Sequence, residues 1–81
     1  MTEKKITLYM TEWCGDCHRA IEYLDSHAIP YQLINIDNDP TGEAFVVCTN
    51  HGNRSVPTII FPDGSILVEP TNRELAKKLE L

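Results

Sequence analysis

Trp13-Cys14-Gly15-Asp16-Cys17-His18 decides how this chain is read, because it stands where a short apolar run gives way to an amphipathic one. On its N-terminal side, Ile6-Thr7-Leu8-Tyr9-Met10 is rich in β-branched and aromatic residues and stops at the polar Thr11-Glu12, the signature of a strand. On its C-terminal side, Ala20, Ile21, Leu24 and Ala28 recur at helical spacing opposite Arg19, Glu22, Asp25 and Ser26, and Pro30 sets the end. A cysteine at that helix N-cap would turn its sulfur toward unpaired backbone N–H groups and the positive end of the helix dipole, which favour thiolate over thiol. Cys17 follows one turn later, where side chains meet at Cβ separations of roughly 5–6 Å, within reach of disulfide geometry. Cys14 would then attack a disulfide sulfur to form a mixed disulfide, and Cys17 or an incoming thiol would release it. Trp13 offers the nucleophile an apolar wall, or else packs into the core as large aromatics usually do. Asp16 suits the first helical turn, yet it disfavours a second negative charge among the thiols and so tunes them.

Working outward, residues 31–36 read as a second strand reached after one helix, so the two strands should be parallel neighbours in a βαβ unit. Asp37-Asn38-Asp39-Pro40 is a turn and helix start, after which Ala44, Val47, Cys48 and His51 recur at three- and four-residue spacing; this predicts an inward stripe with Cys48 as a buried thiol. Gly52-Asn53 closes that helix. Residues 58–61 and 66–68 flank Pro62-Asp63-Gly64-Ser65 as a hairpin. Thr71-x-x-Glu74 has the form of a capping box, Leu75 and Leu79 face inward, and Lys77-Lys78 sit where a helix C-terminus favours positive charge. The order β-α-β-α-β-β-α predicts a four-stranded sheet flanked by helices, formed by residues 1–81 as one domain.

Composition narrows the function. Twelve Asp and Glu against seven Lys and Arg give a net charge of −5, and the only basic clusters are Lys4-Lys5 and Lys77-Lys78. That balance argues against nucleic acid or an anionic membrane as a partner. Three cysteines cannot all pair within one chain, which speaks against a secreted disulfide framework. The apolar run after Lys4-Lys5 is too short for a signal-peptide core, and the expected setting is a reducing cytoplasm.

A second signal, Ser55-Val56-Pro57, directly precedes the third strand, and the residues alone leave the Pro57 isomer open. In combination, the CxxC after the first strand, Val56-Pro57-Thr58 before the third and the glycine-containing hairpin after it resemble the thioredoxin fold in its short, glutaredoxin form. Within that group, Trp13-Cys14-Gly15-x-Cys17, the segment Gly52-Asn53-Arg54-Ser55-Val56-Pro57-Thr58 and Asp63-Gly64-Ser65 most resemble mycoredoxins. The resemblance implies a monomer acting as a thiol-disulfide oxidoreductase, with Cys14 attacking, Cys17 resolving and no bound cofactor. It implies a cis Pro57 packed against the disulfide and a Val56 backbone that pairs with an extended substrate. Its partners would be protein disulfides or mixed disulfides and a low-molecular-weight thiol. Glutathione-using glutaredoxins commonly carry a Lys three residues before the first Cys, an aromatic before the second, and Gly-Gly followed by Asp near the last helix. Here those places hold Thr11, Asp16, and Val68-Glu69 with Thr71-Asn72. A mycothiol- or bacillithiol-type thiol is therefore expected ahead of glutathione, with a flavoprotein such as thioredoxin reductase as another electron source. Trp13, Arg54, Val56, Pro57 and Thr71 are the candidate substrate-binding residues.

One competing chemistry has matching spacing. Cys14-x-x-Cys17 together with Cys48-x-x-His51 is a three-sulfur, one-nitrogen ligand set suited to zinc, and an iron-sulfur cluster bridging two chains through Cys14 is a variant of the same reading.

Overall fold

The computed structural model describes residues 5–81; Lys4 of the first basic pair lies outside them. Element order is β1 (Ile6–Met10), α1 (Gly15–Ser26), β2 (Tyr31–Asn35), α2 (Pro40–Thr49), β3 (Thr58–Ile60), β4 (Ile66–Val68) and α3 (Asn72–Leu79). The strands form one mixed sheet in the order β2-β1-β3-β4, with β1 and β2 parallel and the other two pairings antiparallel. This is the predicted α/β architecture.

Strand β1 alternates as a half-buried strand must. Ile6, Leu8 and Met10 point into a core shared with Cys17, Ala20 and Leu24 of α1, Ile59 and Phe61 from the region of β3, and Leu75 of α3. Thr7 and Tyr9 face the other way, where Tyr9 stacks on Phe45 of α2 with ring centroids 4.9 Å apart. Helix α2 comes close to the sheet through Gly42, where an added Cβ would lie 2.8 Å from Ile34 Cγ2. Helix α3 buries Leu75 completely and carries the predicted capping box. The Glu74 N–H donates to Thr71 Oγ1 at 3.1 Å, and the Thr71 N–H donates to Glu74 Oε1 at 2.8 Å.

Three local readings are corrected. Strand β2 stops at Asn35, and Ile36, buried, follows it. Ala28 is exposed instead of lining α1: the helix ends at Ser26 and Ala28 turns left-handed with φ 55°. The inward face of α2 carries Gly42 and Val46, leaving Ala44, Cys48 and His51 exposed. Ala44 through Cys48 are five apolar residues in succession, so that stretch contains no stripe by which periodicity could choose a face.

The α1 terminus explains Ala28. The Ile29 N–H bonds the Leu24 carbonyl at 2.9 Å and the Ala28 N–H bonds that of Asp25 at 3.1 Å, a Schellman motif whose left-handed position usually belongs to glycine. A Cβ there carries a steric penalty of about 1–2 kcal/mol, partly offset by glycine's greater unfolded-chain entropy. Ala28→Gly is expected to stabilise the protein by about 0.5–1 kcal/mol in urea unfolding, whereas Leu75→Ala should destabilise it by about 2–5 kcal/mol.

Candidate active site

The C-terminal end of β1 delivers Thr11 to the interior, and the Cys14 N–H bonds the Thr11 carbonyl at 3.4 Å. That turn sets Cys14 as the N-cap of α1 with extended φ and ψ of −91° and 110°. Its sulfur accepts the Cys17 N–H at 3.1 Å, the bond that a Ser or Asp side chain makes at an ordinary N-cap. A sulfur here faces fixed backbone dipoles at the positive end of the helix, suited to solvating a thiolate.

The opposite wall is the segment before β3. The Val56-Pro57 peptide bond is cis, and the Cys14 thiol donates to the Val56 carbonyl at 3.7 Å. Val56 is half-buried and Pro57 buried, while Trp13 stands 77% exposed at the edge, so it is available to a partner surface instead of packing in the core. His18 bonds the Glu12 carbonyl through Nε2, beside the nucleophile.

Cys14 and Cys17 differ sharply in surroundings. Cys14 is partly exposed and Cys17 fully buried, both as free thiols. Burial pushes the Cys17 thiol up to about 12, with its hydrogen bond to Cys14 adding to the rise. A backbone hydrogen bond from Thr11 opposes this, and the charges of Cys14 and Asp16 contribute further upward. Cys17 is therefore a neutral thiol throughout the physiological range.

The other predicted residues fall around this centre in different ways. Asp16 is exposed at the first turn and lies 3.9 Å from Arg19. Thr71 caps α3, its side-chain oxygen taken by the Glu74 N–H. Arg54, expected as a cation for substrate, instead bridges Asp37 at 2.5 Å and Glu43 at 2.6 Å through its guanidinium, tying the loop before Val56 to the start of α2. Periodicity could not signal such a pairing, because its members lie 11 and 17 residues apart. Arg19 is a contributor that the sequence presents only as a surface charge. It donates to Asn72 Oδ1 at 2.6 Å and to the Pro70 carbonyl at 2.8 Å, joining the helix that Cys14 caps to the N-terminus of α3.

Cys48 lies on the exposed side of α2, contrary to the buried thiol expected from its spacing. Among the described residues no three His, Cys, Asp or Glu side chains are gathered to hold a metal ion, so Cys14, Cys17, Cys48 and His51 do not assemble into the zinc set their spacing suggested.

Comparison with known proteins agrees with this geometry. The Glutaredoxin family model matches residues 6–66. A glutaredoxin homologue of Mycobacterium tuberculosis (strain H37Rv), Rv3198A, is 39% identical over 79 residues, covering 98% of this chain and 94% of that protein. Mycoredoxin 1 of Corynebacterium glutamicum is 36% identical over 75 residues, covering 93% and 92% respectively. Among solved structures, a mutant form of the thioredoxin-like protein BC3987 superimposes with a TM-score of 0.83 at 22% identity, over 96% of this chain and 97% of that one. The fold is that of thioredoxin. The chain belongs to the glutaredoxin family, and it is a glutaredoxin-like thiol-disulfide oxidoreductase.

The contrast between the cysteines sets an expected labelling pattern. Iodoacetamide at pH 8 should modify Cys14 and Cys48 in the folded, reduced protein and spare Cys17, with Cys17 labelled only on unfolding; peptide mass mapping reads this directly. Comparable labelling of Cys14 and Cys17 would contradict the assignment.

Proposed function

We propose that this protein reduces mixed disulfides between proteins and a low-molecular-weight thiol with a sugar-bearing head group, of the mycothiol or bacillithiol type, in preference to glutathione conjugates. Protein disulfides are a second substrate class, and a flavoprotein disulfide reductase such as thioredoxin reductase is an alternative electron source. The observation that carries this is the position of Cys14 Sγ between the Cys17 N–H and the Val56 carbonyl, an attacking sulfur facing the backbone of the segment before β3.

Cys14 as thiolate attacks the small-thiol sulfur of the mixed disulfide, and the protein leaves as a thiolate that takes up a proton. Cys14 now carries the small thiol in disulfide linkage. A second small-thiol molecule then displaces Cys14, giving the small-thiol disulfide; alternatively Cys17 loses its proton, attacks Cys14 and expels the small thiol. Val56 supplies backbone hydrogen bonds to an extended partner, Pro57 lines the wall beside the sulfurs, and Trp13 offers apolar area. Arg54 serves binding by holding the Val56 loop, and Thr71 by fixing the end of α3. Asp16 keeps negative charge beside the pair.

The preference among thiols is supported by where Arg19 and Arg54 are spent. Glutathione brings two carboxylates, which need free donors or cations. Arg19 is engaged by Pro70 and Asn72, and Arg54 by Asp37 and Glu43. At the start of α3 the Thr71 and Glu74 N–H groups are already taken by each other's side chains. A head group of sugar hydroxyls without carboxylates, as in mycothiol, makes no such demand. We place the protein in the cytoplasm, acting as a monomeric single domain; among the described residues no helix is long and apolar enough to cross a membrane.

Turnover of one reporter protein conjugated to mycothiol, bacillithiol or glutathione, each with its own thiol as reductant, tests the reading. The mycothiol or bacillithiol conjugate should be reduced fastest. Cys14→Ser should abolish turnover, and Cys17→Ser should retain it when small thiol is present. Faster turnover of the glutathione conjugate would overturn the preference, and full activity in Cys14→Ser would overturn the mechanism.

A further inference from the structure

Among the described residues, four other than glycine hold a positive φ: Ala28 at 55°, His51 at 56°, Glu69 at 50° and Glu80 at 58°. Three have a common reason. Ala28, His51 and Glu80 each stand at the C-terminal end of a helix, where the following N–H groups turn back to the carbonyls of Leu24, Val47 and Ala76. Glu69 ends no helix. It lies between Val68, the last residue of β4, and Thr71, the cap of α3. It also precedes Pro70, whose ring further restricts it. Glycine enters this conformation freely, whereas glutamate enters it against a steric penalty.

Both flanks of Glu69 are tied to the active site. Its own N–H donates to the Pro57 carbonyl at 2.8 Å, one residue from the Val56 carbonyl that takes the Cys14 thiol. The carbonyl of its neighbour Pro70 is held by Arg19, on the helix that Cys14 caps. The route from sulfur to the Glu69 backbone is thus two hydrogen bonds and one residue, and with the length of the side chain added the carboxylate lies within about 15 Å of the reacting atoms. Glu69 is exposed. Among the described residues its carboxylate enters no ion pair: Arg19 faces Asp16, Arg54 faces Asp37 and Glu43, and Lys78 faces Asp63. The exposed Glu12 and Asp16 stand on the other side of the nucleophile.

We propose that Glu69 is a specificity-determining residue: its carboxylate, carried on a backbone that is bonded to the cleft wall at Pro57 and held in a conformation suited to glycine, selects among mixed disulfides by the charge carried next to the disulfide, disfavouring anionic groups and favouring cationic ones. This rests on the reading of the protein as a mixed-disulfide reductase and adds the charge class of its substrates. A unit charge within about 15 Å across a partly aqueous path changes an encounter with a charged group by about two-fold.

The test uses one reporter peptide conjugated in turn to cysteamine, 2-mercaptoethanol or 3-mercaptopropionate, which are cationic, neutral and anionic. Reduced protein is used in single turnover and supplies both electrons. Cys14 takes the small-thiol sulfur, the peptide leaves as a thiolate and is protonated, and Cys17 expels the small thiol as the Cys14–Cys17 disulfide closes. Wild type should favour cysteamine over mercaptopropionate, and Glu69→Gln should bring the two rates closer by about two-fold on each at low ionic strength. The difference between wild type and variant should fade at about 0.5 M salt. Glu69→Gly should alter the preference equally and also raise Tm. An unaltered cysteamine-to-mercaptopropionate ratio in Glu69→Gln, or a change confined to Glu69→Gly, would overturn the role of the charge. No peptide release by wild type from the neutral 2-mercaptoethanol conjugate would instead overturn the reductase reading itself.

Discussion

The hydrogen bond from the Cys17 N–H to Cys14 Sγ ties the fold and the chemistry together. Every α-helix begins with backbone N–H groups that lack partners inside the helix, and most answer them with a hydroxyl or a carboxylate. Here the acceptor is the sulfur of Cys14. The start of α1 and the position of that sulfur are consequently one fact, so anything that moves the helix moves the sulfur. Cys17 and the side chains one and two turns further along, Ala20 and Leu24, are fully buried against β1. That packing fixes where the helix begins.

Around this bond the chain assembles a wall from segments distant in sequence. The thiol meets the Val56 carbonyl 42 residues away, and Arg19 reaches the Pro70 carbonyl 51 residues away. Antiparallel pairing of β3 with β1 and with β4 makes this possible, because it brings the entrance of β3 and the exit of β4 to the end of the sheet where β1 finishes. The opposite end lies away from the sulfurs. There the Phe61 and Ser65 backbones close the hairpin, and Lys78 holds the Asp63 carboxyl well below the usual carboxylate range. Acid would weaken that far corner without touching the thiols.

The sequence made the architecture legible wherever local chemistry was unambiguous. Alternation in Ile6–Met10, the Thr71 and Glu74 pair and the turn at Gly64 each have one physical interpretation, and each is found. The cysteine pair was legible too, since its meaning depends on a strand-to-helix junction that flanking residues reveal. The face of α2 was not, because Ala44 to Cys48 are apolar all round and the choice falls to tertiary contacts of Phe45, Val46 and Gly42. The partners of Arg19 and Arg54 were equally hidden, as they join elements whose proximity only the folded sheet determines. Glu69 reads as an ordinary surface acid; its backbone conformation is a property of the β4–α3 connection.

The unequal burial of the two sulfurs bears on how the cycle closes. Two contributions that raise the Cys17 thiol come from Cys14, through its hydrogen bond and its charge. Once Cys14 is joined to a small thiol it is neutral and no longer contributes a negative charge, so loss of the Cys17 proton becomes easier at the step where an internal attack would need it. Burial is the largest cause and does not disappear with the mixed disulfide. Burial therefore keeps Cys17 above the ordinary thiol range in either state of Cys14, while Cys14 stays partly exposed to an incoming thiol. In the proposed cycle a single geometric asymmetry, one sulfur at the helix mouth and the other beneath it, leaves both routes open to the same pair of electrons.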